Sequence, residues 1–202
     1  MKSLEELLGP ATITEAVYTP AELERISGLS ADMQRVWRRR GQLHSQGSGH
    51  ARFTISEVIQ ITLRTSLSRA GIPPGQEGLD LEGATSAAMF HAVFCHGAVE
   101  VIGPAPEVDH FLRIFEDDDG QLGTFLVGNP ASSNYLVLND RHETRIVDEP
   151  HDLVATDEEL NFIFNLALLG ARLVERGRKP VITVRIPDAA DERTKRRLTG
   201  LN

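Results

Sequence analysis

The stretch YTPAELERISGLSADMQRVWRRRGQL, Tyr18–Leu43, decides the fold of the first half of this chain. Thr19 is followed by Pro20 and then, at the third position after the threonine, by Glu22. This is the pattern of an N-cap residue, a proline in the first turn and a carboxylate that completes a capping box. The stretch therefore predicts a short helix, which Gly28 ends after about two turns.

A second helix is predicted immediately after that glycine. Ser30 is its N-cap residue, and Gly41 follows its last turn. Met33, Val36 and Trp37 have the i, i+3, i+4 spacing that predicts one buried stripe. Two short helices joined by a tight turn predict a helix-turn-helix.

Three consecutive arginines, Arg38 to Arg40, close the second helix. Cations in the last turn compensate the helix dipole, and a solvated basic helix end is an equally simple explanation. The alternative is a surface that binds an anion. Each single arginine leaves both explanations open, whereas the group favours contact with nucleic acid.

The distribution of charge supports that second explanation. The 202 residues have a net charge of −8, yet residues 1–75 carry nine basic against seven acidic side chains. Residues 76–202 carry twelve basic against twenty-two acidic side chains. Within residues 30–75, seven arginines face only Asp32 and Glu57. This asymmetry predicts that the first half alone touches DNA.

The sequence after the second helix predicts a wing and a third helix. LHSQGSGHARF, residues 43–53, has apolar ends around a Gly/Ser tip and favours a small hairpin. Thr54 and Glu57 form a second capping box, which begins a helix that runs to about Ala70. Gly71 and the following Pro-Pro-Gly, residues 73–75, end it.

Taken together, residues 17–75 resemble the DNA-binding domain of the MerR family, a winged helix-turn-helix. Positions that match the family pattern without gaps are Tyr18, Leu23, Gly28, Leu29, Ser30, Arg35, Trp37, Gly41 and Leu43, followed by Phe53, Glu57 and Gly71. The chain departs from the pattern at Val36 and at His50-Ala51, where the family has an aromatic and a Tyr-Arg pair. The sequence also lacks the long dimerisation helix that follows this domain in the family. The resemblance therefore does not imply the drug- or metal-sensing tails of the family. The pattern is similar as well to the MerR-like modules of excisionases and phage regulators.

The resemblance implies that the second helix enters the major groove by its N-terminal half. Gln34 then reads adenine, and Arg35 or Arg38 reads guanine or binds phosphate. The candidate DNA-binding residues are Gln34, Arg35, Trp37, Arg38, Arg39, His50 and Arg52. Of these, Arg39 and Arg52 are expected on phosphates, His50 at the wing tip and Trp37 at the DNA backbone or in the core.

The second half mixes helix and strand signals. ATSAAMFHAVFCHGAV, residues 84–99, and Asp157–Arg176 are predicted as helices. Strands are predicted at GTFLVG, NYLVLND, TRIVDEP and PVITVRIP, which begin at residues 123, 134, 144 and 180. We therefore expect an α+β fold, in which a mostly α-helical winged helix-turn-helix precedes an α+β domain with a small, mainly antiparallel sheet.

The expected division of the chain has five parts. It comprises an N-terminal extension (1–16), the MerR-like domain (17–75), a linker (76–83), an α+β dimerisation or effector domain (84–188) and a charged tail (189–202). The extension opens either with a short amphipathic helical turn or as a frayed terminus.

His91, Cys95 and His96 are the best candidates for a metal site. The i, i+4 spacing of His91 and Cys95 on a helix suits half of such a site, but a full site needs three or four ligands. A buried cysteine beside ordinary histidines explains the same residues, and we expect neither metal nor cofactor. No catalytic constellation or phosphate-binding loop is evident, so we do not expect an enzyme.

Two functions remain in view. The first is a sequence-specific transcriptional regulator that binds double-stranded DNA as a homodimer and contacts a protein partner, such as the transcription machinery, through its second half. The second is an architectural or adaptor protein that uses the helix-turn-helix for DNA structure or protein docking. One cysteine and no long apolar segment predict a cytoplasmic protein without membrane contact.

Overall fold

The computed structural model describes residues 11–43, 51–76, 79, 81–117, 133–139, 141, 143–149 and 161–188. Within them six helices and eight short strands form an α+β fold, which is the class that the sequence predicts. The helices are α1 Pro20–Ser27, α2 Ala31–Arg39, α3 Ile55–Arg69, α4 Glu82–Val93, α5 Ala105–Asp117 and α6 Leu166–Gly177. The strands are β1 Thr12–Glu15, β2 Val17–Tyr18, β3 Phe53–Thr54, β4 Val99–Ile102, β5 Tyr135–Asn139, β6 Thr144–Val147, β7 Asn161–Asn165 and β8 Ile182–Arg185. In this part of the chain, every helix is too short or too polar to cross a bilayer.

The signals that begin and end the first helices act as predicted. Thr19 accepts a hydrogen bond from the backbone N–H of Glu22, whose carboxylate accepts one from the N–H of Thr19. Thr54 and Glu57 form the same reciprocal pair at the start of α3. Gly28 ends α1 in the left-handed region at φ 72°, where a residue without Cβ is favoured.

Strand pairing gives three small sheets. β1 runs antiparallel to β8, and β4 runs parallel to β8 on its other side. β5 is the central strand of an antiparallel sheet between β6 and β7. β2 pairs with β3, so that Tyr18 lies opposite Phe53. The hairpin predicted over residues 43–53 has its tip, residues 44–50, outside the described residues.

The expected division into separate segments needs correction. Residues 12–15, placed in an N-terminal extension, form β1 and pair with β8 at the far end of the sequence. The expected linker, residues 76–83, already contains the first two residues of α4. One hydrophobic core joins the two halves, because buried residues of both contribute to it, among them Leu23, Trp37, Ile59, Ala88, Phe111, Leu173 and Val184. The expected amphipathic turn at residues 1–8 and the tail at 189–202 lie outside the described residues.

The helix predicted over Asp157–Arg176 is also corrected. Its first half contains strand β7, Asn161–Asn165, which pairs with β5. Phe162, Ile163 and Phe164 are residues that favour strands, and this preference prevails over the helical spacing once β5 offers a partner. The helix begins only after Asn165, whose side chain caps it by accepting from the N–H of Leu168 at 2.7 Å. The strand predicted at residues 123–128 is not among the described residues.

Helices α4 and α6 form the central packing of the second half. They approach so closely at Gly170 that an added Cβ would lie 2.6 Å from the carbonyl oxygen of Ala88 and 2.6 Å from the amide nitrogen of Ala92. Helix α1 packs on both α3 and α6. The contact with α6 holds the helix-turn-helix against the second half of the chain.

Candidate nucleic-acid interface

One side of α2 faces solvent. The exposed residues of α2 lie in its first two turns and at its last position; they are Ala31, Asp32, Met33, Arg35 and Arg39. Met33, expected in the buried stripe with Val36 and Trp37, is 43% exposed instead. The expected stripe is therefore wrong at that position.

Gln34 takes the inward position and is 1% exposed. Its amide nitrogen donates to the carbonyl oxygens of Pro20 and Leu29, each at 3.0 Å. A side chain held in this way braces α2 against the turn and the start of α1. The prediction that Gln34 reads adenine is therefore corrected, since its donors are bonded within the fold.

Trp37 is likewise a core residue. It is 2% exposed and among the largest fully buried side chains of the described residues. Of the two roles that the sequence left open, the position in the core is observed, and direct contact with DNA is excluded in this conformation.

Arg35 lies at the exposed centre of α2. Its Nη1 is 2.7 Å from Oδ1 of Asp32, one turn earlier, and the two side chains are 72% and 87% exposed. An ion pair so open to water contributes little to stability. The guanidinium of Arg35 is thus available to a competing anion.

The three arginines that end α2 differ in setting. Arg38 is half-buried, with its guanidinium carbon 6.0 Å from the centre of the Phe53 ring and Nη2 3.4 Å from Oε1 of Gln34. Arg39 and Arg40 are exposed. Phe53 belongs to β3, the strand that follows the predicted wing tip. Its contact with Arg38 therefore places the end of α2 beside this strand.

Arg52 precedes that strand and is exposed; its Nη1 donates to the carbonyl oxygen of Ala51 at 3.3 Å. Arg35, Arg38, Arg39, Arg40 and Arg52 are referred to below as the basic surface. His50, the candidate at the wing tip, lies outside the described residues.

Two further arginines of the first half hold the backbone in place. Arg64 donates to the carbonyl oxygen of Pro74 at 2.7 Å, and Arg69 donates to that of Gly28 at 3.1 Å. Sequence patterns gave no signal for either contact, because each joins residues from different elements.

The residues weighed as metal ligands have local partners. A ring nitrogen of His91 is 3.1 Å from the carbonyl oxygen of Ser133, and the thiol of Cys95 donates to the carbonyl oxygen of His91. Burial raises the pKa of the Cys95 thiol. No cluster of three metal-ligating side chains occurs within the described ranges.

No protein-family model and no curated protein matches this chain. The chemistry of the site therefore rests on its own geometry. Arginines on a capped, exposed helix suit phosphate and guanine, both of which accept paired hydrogen bonds from a guanidinium.

Proposed function

We propose that this protein is a sequence-specific DNA-binding transcriptional regulator that uses a MerR-like winged helix-turn-helix. The observation that carries the proposal is the basic surface, which is formed by arginines on and just after the second helix of a helix-turn-helix and by Arg52 before β3, in a chain with a net charge of −8. Phosphate neutralisation by such a surface supplies affinity, while side chains in the first turns of the helix supply specificity.

The set of reading residues differs from the one expected from sequence. With Gln34 turned inward, we propose that Arg35 reads guanine and that Met33 contacts a thymine methyl group. Arg39, Arg40 and Arg52 are suited to phosphates, and Arg38 acts next to them from its place over Phe53. Asp32 is the acidic side chain on the exposed part of this helix.

The second half completes the proposal. A single helix-turn-helix presents few base contacts, so we propose a homodimer on two half-sites. Residues 76–202, with twenty-two acidic against twelve basic side chains, are suited to dimerisation, a signal or a protein partner such as the transcription machinery. Such a regulator works where DNA is, and we propose the cytoplasm.

The test is selection of random double-stranded DNA by the purified chain at about 150 mM salt, followed by sequencing. The proposal predicts an enriched motif with two half-sites. A variant with Arg35 and Arg39 both replaced by alanine should enrich nothing. Equal enrichment by this double variant would refute the assignment of the basic surface.

A second candidate function is favoured by the inward position of Gln34. Since few side chains of α2 remain to read bases, contacts to the backbone and to DNA shape gain weight, as in an architectural or adaptor protein. That candidate predicts retention of DNA only at low salt and without a motif. Loss of retention at every salt concentration would instead leave the helix-turn-helix as a protein-docking surface.

A further inference from the structure

A cleft of about 330 Å³ opens on another side of the helix-turn-helix, where α1 and α3 meet β7 and α6. The cleft is lined by residues of both the first and the second half of the chain. It is small, but lies within the range of volumes that hold small organic ligands.

The charged side chains of the cleft all have one sign. Arg69, Arg172 and Arg176 line it, and none of the described residues that line it is acidic. In a chain with 29 acidic and 21 basic side chains, this grouping leaves a local excess of positive charge. Like charges at close quarters repel, so an anion between them would be stabilised.

Neutral groups hold two of these arginines in place. Arg69 donates to the carbonyl oxygen of Gly28, and Arg176 donates to that of Ile26 at 3.3 Å. Both carbonyls belong to the end of α1, whose dipole attracts cations without neutralising them. Arg172, one turn before Arg176 on the same face of α6, is exposed.

The rest of the lining is apolar at six residues and polar at four, which are Ser27, Thr62, Ser66 and Asn165. Ile163 is 50% exposed and Leu168 is 47% exposed, two of the most exposed large apolar side chains among the described residues. Phe164 and Leu169 lie beside them in the same lining, with Ser66 across from them on α3. An apolar wall next to grouped guanidinium groups suits a ligand with one charged and one apolar end.

We infer that this cleft binds a small amphipathic organic acid, with its acidic head on the arginines and a short apolar chain against Ile163 and Leu168. Guanidinium groups bind carboxylates in paired hydrogen bonds, and the apolar chain covers exposed side chains of the wall. Binding of this acid is independent of whether the basic surface reads DNA.

The test is titration calorimetry of the full chain with octanoate, using 1-octanol and inorganic phosphate as matched probes that each lack one end. Octanoate is expected to bind with one site per chain. Both other probes should bind at least about tenfold more weakly, because each forgoes either the charged hydrogen bonds or the apolar contact. Arg172→Gln should weaken octanoate binding about tenfold, and Leu168→Ser should also weaken it.

Arg113→Gln is the matched control, since Arg113 is an exposed helical arginine outside the cleft, and it should leave the affinity unchanged. Thermal unfolding checks that each variant is folded. Octanol binding as tightly as octanoate would reduce the cleft to an apolar patch, and phosphate binding as tightly would make it a simple anion site. Either result overturns the inference, as does the absence of octanoate binding or an unchanged affinity in Arg172→Gln.

Discussion

The ammonium group of Lys179 lies 2.7 Å from Oε1 of Glu22, an ion pair between residues 157 positions apart in sequence. The same ammonium donates to the carbonyl oxygen of Val17 at 2.8 Å and lies 4.4 Å from the ring centre of Tyr18. The other carboxylate oxygen of Glu22 accepts from Thr19 in the capping box. One carboxylate therefore both begins α1 and fastens the helix-turn-helix to the segment before β8.

This pair predicts a loss of stability in acid. Burial alone would raise the pKa of Glu22, but hydrogen bonds from Lys179 and Thr19 outweigh it and lower the pKa from 4.5 to about 2. A carboxylate with a depressed pKa in the fold stabilises the protein above its unfolded pKa and loses that contribution as the pH falls. We expect the free energy of unfolding to decline between about pH 4.5 and pH 2.

Chemical denaturation at a series of pH values measures this decline. Glu22→Gln should be less stable than the parent chain near neutral pH, by on the order of 1–3 kcal/mol, and should lose most of the difference near pH 2. Glu24→Gln, on the exposed side of the same helix, is the control and should follow the parent profile. A constant difference between Glu22→Gln and the parent across the acid range would contradict the assignment.

Gln34→Ala is expected to act on stability. The substitution removes donors from two backbone carbonyls and leaves a gap beside Leu29, so the free energy of unfolding should fall by about 1–3 kcal/mol. The base preference of any selected DNA motif should stay the same. Urea denaturation and repeated motif selection check the two halves of this prediction. A changed base preference with unchanged stability would instead show that Gln34 contacts the bases.

Arg35→Ala and Arg39→Ala are expected to differ in kind. Arg35→Ala should cost about 1–3 kcal/mol of discrimination at the base pair that it reads. Arg39→Ala should weaken binding to all sequences alike and lower the salt slope by nearly one unit, as expected for one lost phosphate contact. Binding titrations at several salt concentrations separate the two effects, with Arg113→Ala as the charge-matched control. Identical behaviour of both variants would refute the division of roles.

Asp32→Asn should tighten DNA binding. The substitution frees Arg35 from its ion pair and removes a carboxylate that repels phosphate, while the exposed position makes little difference to folding. We expect affinity for random DNA to rise several-fold and the effect to fade at high salt, where charges are screened. If affinity falls instead, Asp32 itself contacts the DNA, as an acceptor for a cytosine amino group.

Gly170→Ala is expected to disturb the packing of α4 on α6. The new methyl group would overlap the backbone of Ala88 and Ala92, and such overpacking lowers the free energy of unfolding by about 1–3 kcal/mol. Gly177→Ala is the comparison, because its Cβ would meet only side-chain atoms at ordinary distances, 3.4 Å from the Tyr18 ring edge and 4.0 Å from Cδ1 of Ile26. Thermal and urea unfolding measure both; equal stability of the two variants would show that the helices separate at little cost.

The sequence predicted the local structure of the first half accurately because caps and turns are local. Both capping boxes and the positive φ of Gly28 depend on residues within a few positions of one another. The inward position of Gln34 could not be predicted in the same way. Its partners belong to α1 and to the turn, and polar residues on a helix are ordinarily exposed.

For the second half, the sequence predicts the mixture of helices and strands, but it predicts their bounds and pairing less well. Tyr135–Asn139 and Ile182–Arg185 are rich in residues that favour strands, and both are strands. Asn161–Asn165 fitted a helical stripe as well as a strand, and only pairing with β5 decides between them. The pairing of β1 with β8 could not be predicted, because a four-residue strand carries no signal for a partner near the other end of the chain.

Because β1 pairs with β8, the fold of the first half cannot be completed until β8 has been synthesised. Strand β1 and the anchors of α1 need residues 176–185, which leave the ribosome long after α1 and α2. A nascent or prematurely ended chain therefore carries α1 without the contacts that fasten it to α6 and to the segment before β8. Under the proposed function, incomplete chains would present the basic surface on a less firmly held helix-turn-helix and would compete poorly with finished molecules for DNA.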